Sequence, residues 1–233
     1  TSLNDQTHFK KFLYNKGSGT DFLGFDNGFR SLKGGINAVL NPINNGYDLL
    51  NNGLNNDWTV KDRRPLADLS MNMNFSRRWV DSSGRTLAML GTVNYSNSYK
   101  TYLDMDNNLF GAYDTTHDCS NYLRKSIDDQ YNHNVRIGTM LNFTYVPASG
   151  NSRYEFKNIF NQLGKDRYTY RKGTDAQSDY EESAEYYYQS RTTYNGQFTG
   201  KHTLGDADKL DWSTGYSLSL IHISEPTRPE RIS

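Results

Sequence analysis

Three consecutive residues, His117-Asp118-Cys119, carry the ligand types of a transition-metal site. Adjacent side chains diverge, however, and no second cluster stands at a metal-site spacing, so no metal is expected. Asp104-Met105-Asp106-Asn107-Asn108 offers oxygens at alternating positions like the start of a calcium loop, but no glycine follows at the turn position and no glutamate closes it. Gly200-Lys201 lacks the upstream glycine of a phosphate loop. His8, His117, His133 and His202 stand in no recognisable nucleophile context, and the single cysteine, Cys119, has no clear activating surroundings. No catalytic residue, enzymatic activity or cofactor is therefore expected. Hydrogen-bonding and charged side chains also gather at Tyr113, His117, Asp118 and Tyr122 in a long polar connection, and at Asn94, Arg136 and Arg191 on the polar side of extended segments.

The elements that must position these residues announce themselves by alternation. Between Ala67 and Trp79, Leu69, Met71, Met73, Phe75 and Trp79 alternate with Asp68, Ser70, Asn72, Asn74 and Ser76. A period of two marks a two-faced β-strand, one face apolar and the other small and polar. The pattern recurs. Leu87, Met89, Gly91, Val93 and Tyr95 face away from Ala88, Leu90, Thr92, Asn94 and Ser96, and Val135, Ile137, Leu141, Phe143 and Tyr145 from Asn134, Arg136, Gly138, Asn142 and Thr144. Tyr188, Thr192, Tyr194 and Phe198 oppose Gln189, Arg191, Asn195, Gln197 and Lys201; Leu210, Trp212 and Tyr216 oppose Asp211, Ser213 and Ser217. The same alternation generates Asn74-Phe75-Ser76, Asn94-Tyr95-Ser96 and Asn142-Phe143-Thr144, which mimic glycosylation acceptors in mid-strand. An apolar face turned to lipid, carried by Leu69, Met71, Met73, Phe75, Leu87, Met89, Val93, Val135, Ile137, Leu141 and Phe143, and a wet polar face are what a membrane β-barrel wall requires.

The connections alternate in length. Asp81–Arg85, Pro147–Ser152 and Thr203–Lys209 are short and rich in Gly, Ser and Asp, as hairpin turns are, whereas Tyr102–Asp129 and Lys172–Glu185 are long and hydrophilic. Outer-membrane barrels show that asymmetry, with short periplasmic turns and long extracellular loops. The chain has 233 residues, 35% of them hydrophobic and 14% aromatic, with a mean hydropathy of −0.85. No window approaches the roughly 20 apolar residues of a membrane helix. With 26 basic and 26 acidic residues the net charge is zero, which argues against nucleic acid. The competing reading is a soluble secreted β-sandwich, a binding or adhesin domain. Its strands usually run to about 5 or 6 residues, whereas these patterns run for roughly 9 to 16, and tilted membrane strands need about 9 to 11. The aromatic run Tyr186-Tyr187-Tyr188 suits the girdle at a membrane interface.

The N-terminal run Asn4–Arg30 (NDQTHFKKFLYNKGSGTDFLGFDNGFR) is similar to the early barrel region of TonB-dependent outer-membrane receptors of Bacteroidota, in particular those with a carboxypeptidase-regulatory-like domain ahead of the plug. Asn56-Asp57-Trp58-Thr59, Val93–Tyr99 (VNYSNSY), Tyr154–Gln162 (YEFKNIFNQ) and Lys209–Tyr216 (KLDWSTGY) continue the resemblance, and the order Asp21-Phe22-Leu23-Gly24-Phe25-Asp26 before the strands is its most distinctive part. It lacks the TonB box, plug, regulatory-like domain and terminal strand. Leu218–Arg228 (LSLIHISEPTR) resembles a translated sequencing adapter, so residues 218–233 are expected to be non-native and His222 is set aside. The beginning at Thr1, without a signal peptide, is expected to be a truncation.

The resemblance implies an all-β fold, about six long strands of a plugged 22-stranded barrel that in isolation form an open curved sheet. Residues 1–66 are expected to be an irregular, extracellular excursion and residues 67–217 the antiparallel strands. It further implies import of a scarce solute (glycan, siderophore, vitamin or peptide) across the cell outer membrane with energy relayed by the TonB complex, with Tyr113, His117, Asp118 and Tyr122 in a loop and Asn94, Arg136 and Arg191 on the lumen face as candidate contacts for it. The expected partners are outer-membrane lipid and, as in those members of the family that carry one, a surface lipoprotein.

Overall fold

In the computed structural model, residues 11–30, 59–175, 179–205, 208–224 and 227–230 are described. The expectations that fall on residues 1–10 and 31–58, including Asn56-Asp57-Trp58, lie outside them. The described chain is all-β apart from a single 3-10 turn, Asp21–Leu23. Its strands are β1 (Phe12–Asn15), β2 (Val60–Arg63), β3 (Leu69–Val80), β4 (Thr86–Asp106), β5 (Leu109–Asp114), β6 (Cys119–Val146), β7 (Ser152–Asp175), β8 (Tyr180–Leu204), β9 (Asp208–Ser224) and β10 (Thr227–Glu230).

Strands β3 to β10 form one antiparallel sheet in the order β10-β8-β7-β6-β4-β3, with β5 on β6 and β9 on β8; β1 and β2 pair separately. The sheet does not close on itself: β3 pairs with β4 alone, and β9 with β8 alone. The fold is thus an open curved sheet of long strands, from 12 residues in β3 to 28 in β6. β10 continues the register of β9, since Tyr188 faces Ser224 and Glu185 faces Thr227. Residues 218–224, with their alternating LSLIHIS pattern, therefore extend β9 along the edge of β8. Edge pairing is made by backbone groups, which any alternating segment can supply.

The short turns fall where the sequence puts them. Between β3 and β4, the Asp81 carboxylate accepts from the Ser82 backbone N–H at 2.7 Å and from the Ser83 hydroxyl at 2.6 Å, and Gly84 takes the left-handed φ of 82° that the return requires. The long connections differ from expectation. β4, β5 and β6 run through most of 102–129, and β7 and β8 through most of 172–185, so these regions are strand rather than irregular loop. Cross-strand pairs hold the extensions together: Arg171 chelates Asp128 through two bonds of 2.7 Å, Arg167 pairs with Glu185, and the Tyr168 and Tyr186 rings lie 5.0 Å apart. A register shift between Tyr102 and Met105, where Asp104 has a φ of 54°, marks where the β4–β6 ladder is interrupted.

The register arranges side chains in rows across the sheet. One face carries Trp79, Leu87, Tyr145, Tyr154 and Trp212 in the row nearest the short turns, then rows containing Met89, Phe143, Phe156 and Phe198, and Phe75, Leu141 and Tyr216. Most of these side chains are exposed, Met73 at 64%. Farther from the short turns, the same face reaches Tyr99, His133, Asp166 and Tyr188, then Tyr131, Tyr168 and Tyr186. There the N-terminal strap, residues 11–30, covers it. Phe12, 1% exposed, stands edge-on to Tyr99 and Tyr131 with ring centroids 5.2 and 5.6 Å away, and this is the centre of the core.

Candidate functional site

The residues expected to touch solute fall into two separate places. Tyr113, His117, Asp118 and Tyr122 lie on the β5–β6 hairpin, the end of the molecule farthest from the short turns. Tyr113 donates to Asp118, which pushes the Tyr113 phenol above its ordinary pKa, and His117 Nδ1 lies 2.7 Å from Asp114 Oδ2. Tyr122 packs on Phe110, ring centroids 4.9 Å apart. These contacts are internal to the hairpin, so His117 and Asp118 are engaged with neighbours on the same ribbon, while the exposed Cys119 begins β6.

Asn94, Arg136 and Arg191 all lie on the polar face, opposite the apolar rows. Arg136 of β6 and Arg191 of β8 share one row with Leu163 of β7 between them, and Asn94 sits one row closer to the short turns, its side chain against Gly138. The structure thus brings the two arginines near each other across β7 and keeps them apart from the hairpin residues.

Of the residues expected to face lipid, Leu69, Met71, Met73, Phe75, Leu87, Val93 and Leu141 are exposed, and Met89, Ile137 and Phe143 partly so. Val135 shares their face but is 1% exposed, because its row lies under the strap. The aromatic run 186–188 is divided. Tyr186 and Tyr188 are buried beneath the strap, and Tyr187 lies on the polar face beside Lys165 and Arg167.

The strap is docked through a polar clasp that sequence reasoning missed. Gln162, fully buried, donates through Nε2 to the Gly24 carbonyl and to Ser190 Oγ at 2.8 Å; Ser190 Oγ donates to the same carbonyl at 2.9 Å, and Thr192 donates to Gln162 Oε1. Gly24 itself is left-handed, φ 78°, and lies directly on Gly164, where an added Cβ would come within 2.5 Å of the Gly24 Cα. Arg30 grips Asp21 with two bonds of 2.9 and 2.7 Å and lies 3.7 Å over the Tyr188 ring. Tyr95 adds a bond of 2.9 Å to the Phe22 carbonyl. The glycines at 24 and 164 were visible in the sequence, but their meeting across 140 positions of chain was not.

Under the strap two titratable groups face each other, His133 and Asp166, in register on β6 and β7. Burial lowers the His133 pKa to about 3, helped by the Arg63 charge, and its Nε2 lies 2.9 Å from Asn97 Oδ1 while its ring stacks on Tyr99 at 4.4 Å. Burial raises Asp166 to about 6 against the pull of Arg30 and Arg63. Both are therefore driven toward their neutral forms.

Near the short turns, Ser152 Oγ lies 3.0 Å from His202 Nδ1, a pair that resembles half of a nucleophile dyad. Trp212 Nε1 donates to His202 Nε2 at 2.9 Å, so in neutral His202 the proton sits on Nδ1 and points at Ser152. The imidazole cannot then take the serine proton, and the arrangement ties the β7–β8 hairpin to β9 instead.

No protein-family model matches the chain. No curated protein matches it either.

Proposed function

We propose that the chain is part of the barrel wall of a TonB-dependent outer-membrane receptor, which imports a scarce solute with energy relayed by the TonB complex. The observation that carries this reading is the bare apolar face. On β3, Trp79, Phe75, Met73 and Met71 face outward with nothing among the described residues over them, and beside them Leu87 and Val93 of β4 and Tyr145 and Leu141 of β6 are exposed too. The rows span about 26 Å along the strand at roughly 3.3 Å per residue, the scale of the apolar band of an outer-membrane barrel. Outer-membrane lipid is the partner such a face needs, and a sandwich domain would instead press it onto a second sheet. The opposite face, with Asn94, Arg136 and Arg191, is then the lumen wall, and the β5–β6 hairpin reaches the extracellular side, where a surface lipoprotein would sit.

The test is the complete reading frame at the source locus. A signal peptide, regulatory-like domain and plug upstream, with further alternating strands in place of LSLIHISEPTR, is the expected result. A frame that starts at Thr1, stops at Ser233 and yields a secreted soluble chain would remove the receptor reading in favour of a β-sandwich binding domain.

A further inference from the structure

The charged groups of this neutral chain are not spread evenly over the polar face, and next to the short turns they surround a trough. In one row, Arg78 of β3, Ala88 of β4, Thr144 of β6 and Glu155 of β7 stand side by side. Three inter-strand steps separate the outer two, about 14 Å at roughly 4.8 Å per step. Ala88 and Thr144 in this row, and Ser76, Leu90 and Asn142 in the next, form the floor between them, Leu90 being its one large apolar side chain. The walls are long cations, Arg78 on one side and Arg153 and Lys157 on the other. The recess measures about 500 Å³, within the range of small-molecule sites.

The β7 wall is held in place. Glu155 accepts from Arg153 at 2.6 Å and from Lys157 at 2.9 Å, so one carboxylate fixes two cations at the edge of the trough. Arg78 makes no ion pair among the described residues, while its neighbour Arg77 turns to the other face over Trp79. Three cations thus line the trough against a single carboxylate, with the Asn142 amide and the Thr144 hydroxyl between them. The recess on the other side of the ridge differs: there Lys201 stands 4.0 Å from Asp211, and a second carboxylate answers the cations.

We propose that the trough between Arg78 and the Arg153–Glu155–Lys157 ridge binds a small multivalent oxyanion, a polycarboxylate or polyphosphate. A guanidinium on one wall and an ammonium and guanidinium on the other take separate oxygens of one anion, and the amide and hydroxyl of the floor supply neutral hydrogen bonds. A single carboxylate could not reach both walls, which selects for several charges. The inference rests on the receptor reading for its place on the lumen wall, at the end where an imported solute leaves the barrel.

The experiment is calorimetric titration of the full chain in zwitterionic detergent with citrate, with tripolyphosphate and with acetate. Citrate or tripolyphosphate should bind saturably at one site, acetate should not, and the stronger of the two names the anion class. Arg78→Gln together with Lys157→Gln, both exposed positions, should weaken binding by at least about tenfold. Lys100→Gln with Lys165→Gln, elsewhere on the same face, should leave it within about twofold. No saturable binding, or binding that survives the first pair of changes or is lost with the second, overturns the proposal. In the same samples, in a Trp58→Phe background, quenching of Trp79 and Trp212 by brominated detergent reports the apolar face. Quenching without anion binding removes this inference alone, whereas binding without quenching removes the receptor reading and leaves the trough.

Discussion

One sheet face is treated in two ways along its length. Near the short turns, none of the described residues covers Met73, Leu141 or Phe143, while beyond Val135 the strap from Phe12 to Arg30 closes over His133, Asp166 and a run of tyrosines. The row composition accounts for the difference. The rows of Met73, Leu141 and Phe143 are mainly apolar on β3, β4 and β6, and gain little from a polar strap, whose backbone carbonyls would go unpaired on them. Gln162 and Ser190 meet the Gly24 carbonyl with donors, with Thr192 bracing the Gln162 amide from behind, so these rows can be covered by an irregular segment. The lesson is that a strand can serve two environments without changing its alternation, by changing only which side chains occupy one face.

The contrast can be broken first at its covered end. Phe12→Ala should cost the docked strap about 3–5 kcal/mol. Amide exchange at Leu23 and Gly24, whose N–H groups bond within the turn at 2.9 Å, should accelerate while the β3–β4 ladder is unchanged. Equal acceleration in both places would mean the two ends are one cooperative unit.

At the bare end, Met73→Arg places a charge in the middle of the apolar rows. In a bilayer it should destabilise the inserted chain by about 2–4 kcal/mol; refolding into phospholipid vesicles across a urea series reads the difference. For a face in water the change at a side chain already 64% exposed would be close to neutral, and that outcome would sink the lipid assignment.

Gly164→Ala is the milder test of the covered end. Its Cβ would lie 2.5 Å from the Gly24 Cα, so backbone must give way, at about 1–3 kcal/mol. The loss should again appear in strap exchange only. If the strap protection is unaffected, the Gly24–Gly164 contact is not what seats it.

The smallest effect is the pH dependence. His133, lowered to about 3 from 6.5, gives stability that is full above 6.5 and is lost as pH falls toward 3. Asp166, raised to about 6 from 3.8, acts oppositely, favouring the docked strap below 3.8 and losing that contribution as pH rises through 6. Between about 4 and 6 the two slopes oppose each other, so strap exchange should change little with pH there. Asp166→Asn removes one slope, and strap stability should then rise with pH across this window. A flat profile in that variant would show that His133 does not titrate beneath the strap.

Much of the fold was legible because alternation is a local property. The strand positions, the three short turns and the division of Arg136, Asn94 and Arg191 from Leu141 and Phe143 follow from side chains pointing to opposite faces at a period of two. The polar connections at 102–129 and 172–185 were less legible, since strand there is held by cross-strand ion pairs and stacked tyrosines rather than by an apolar face. The clasp and the trough were not legible at all. Each is made where distant segments meet: Gly24 with Gly164, Arg78 with Glu155.

The sequence by itself determined that this chain is a set of long two-faced strands joined by tight turns, because hydrophobic periodicity and turn chemistry act over a few residues. Only the tertiary structure decided which rows lie bare and which lie under the strap, and which charges share a recess. Those outcomes depend on strand order and register, which pairing between segments far apart in the chain sets and no local pattern encodes.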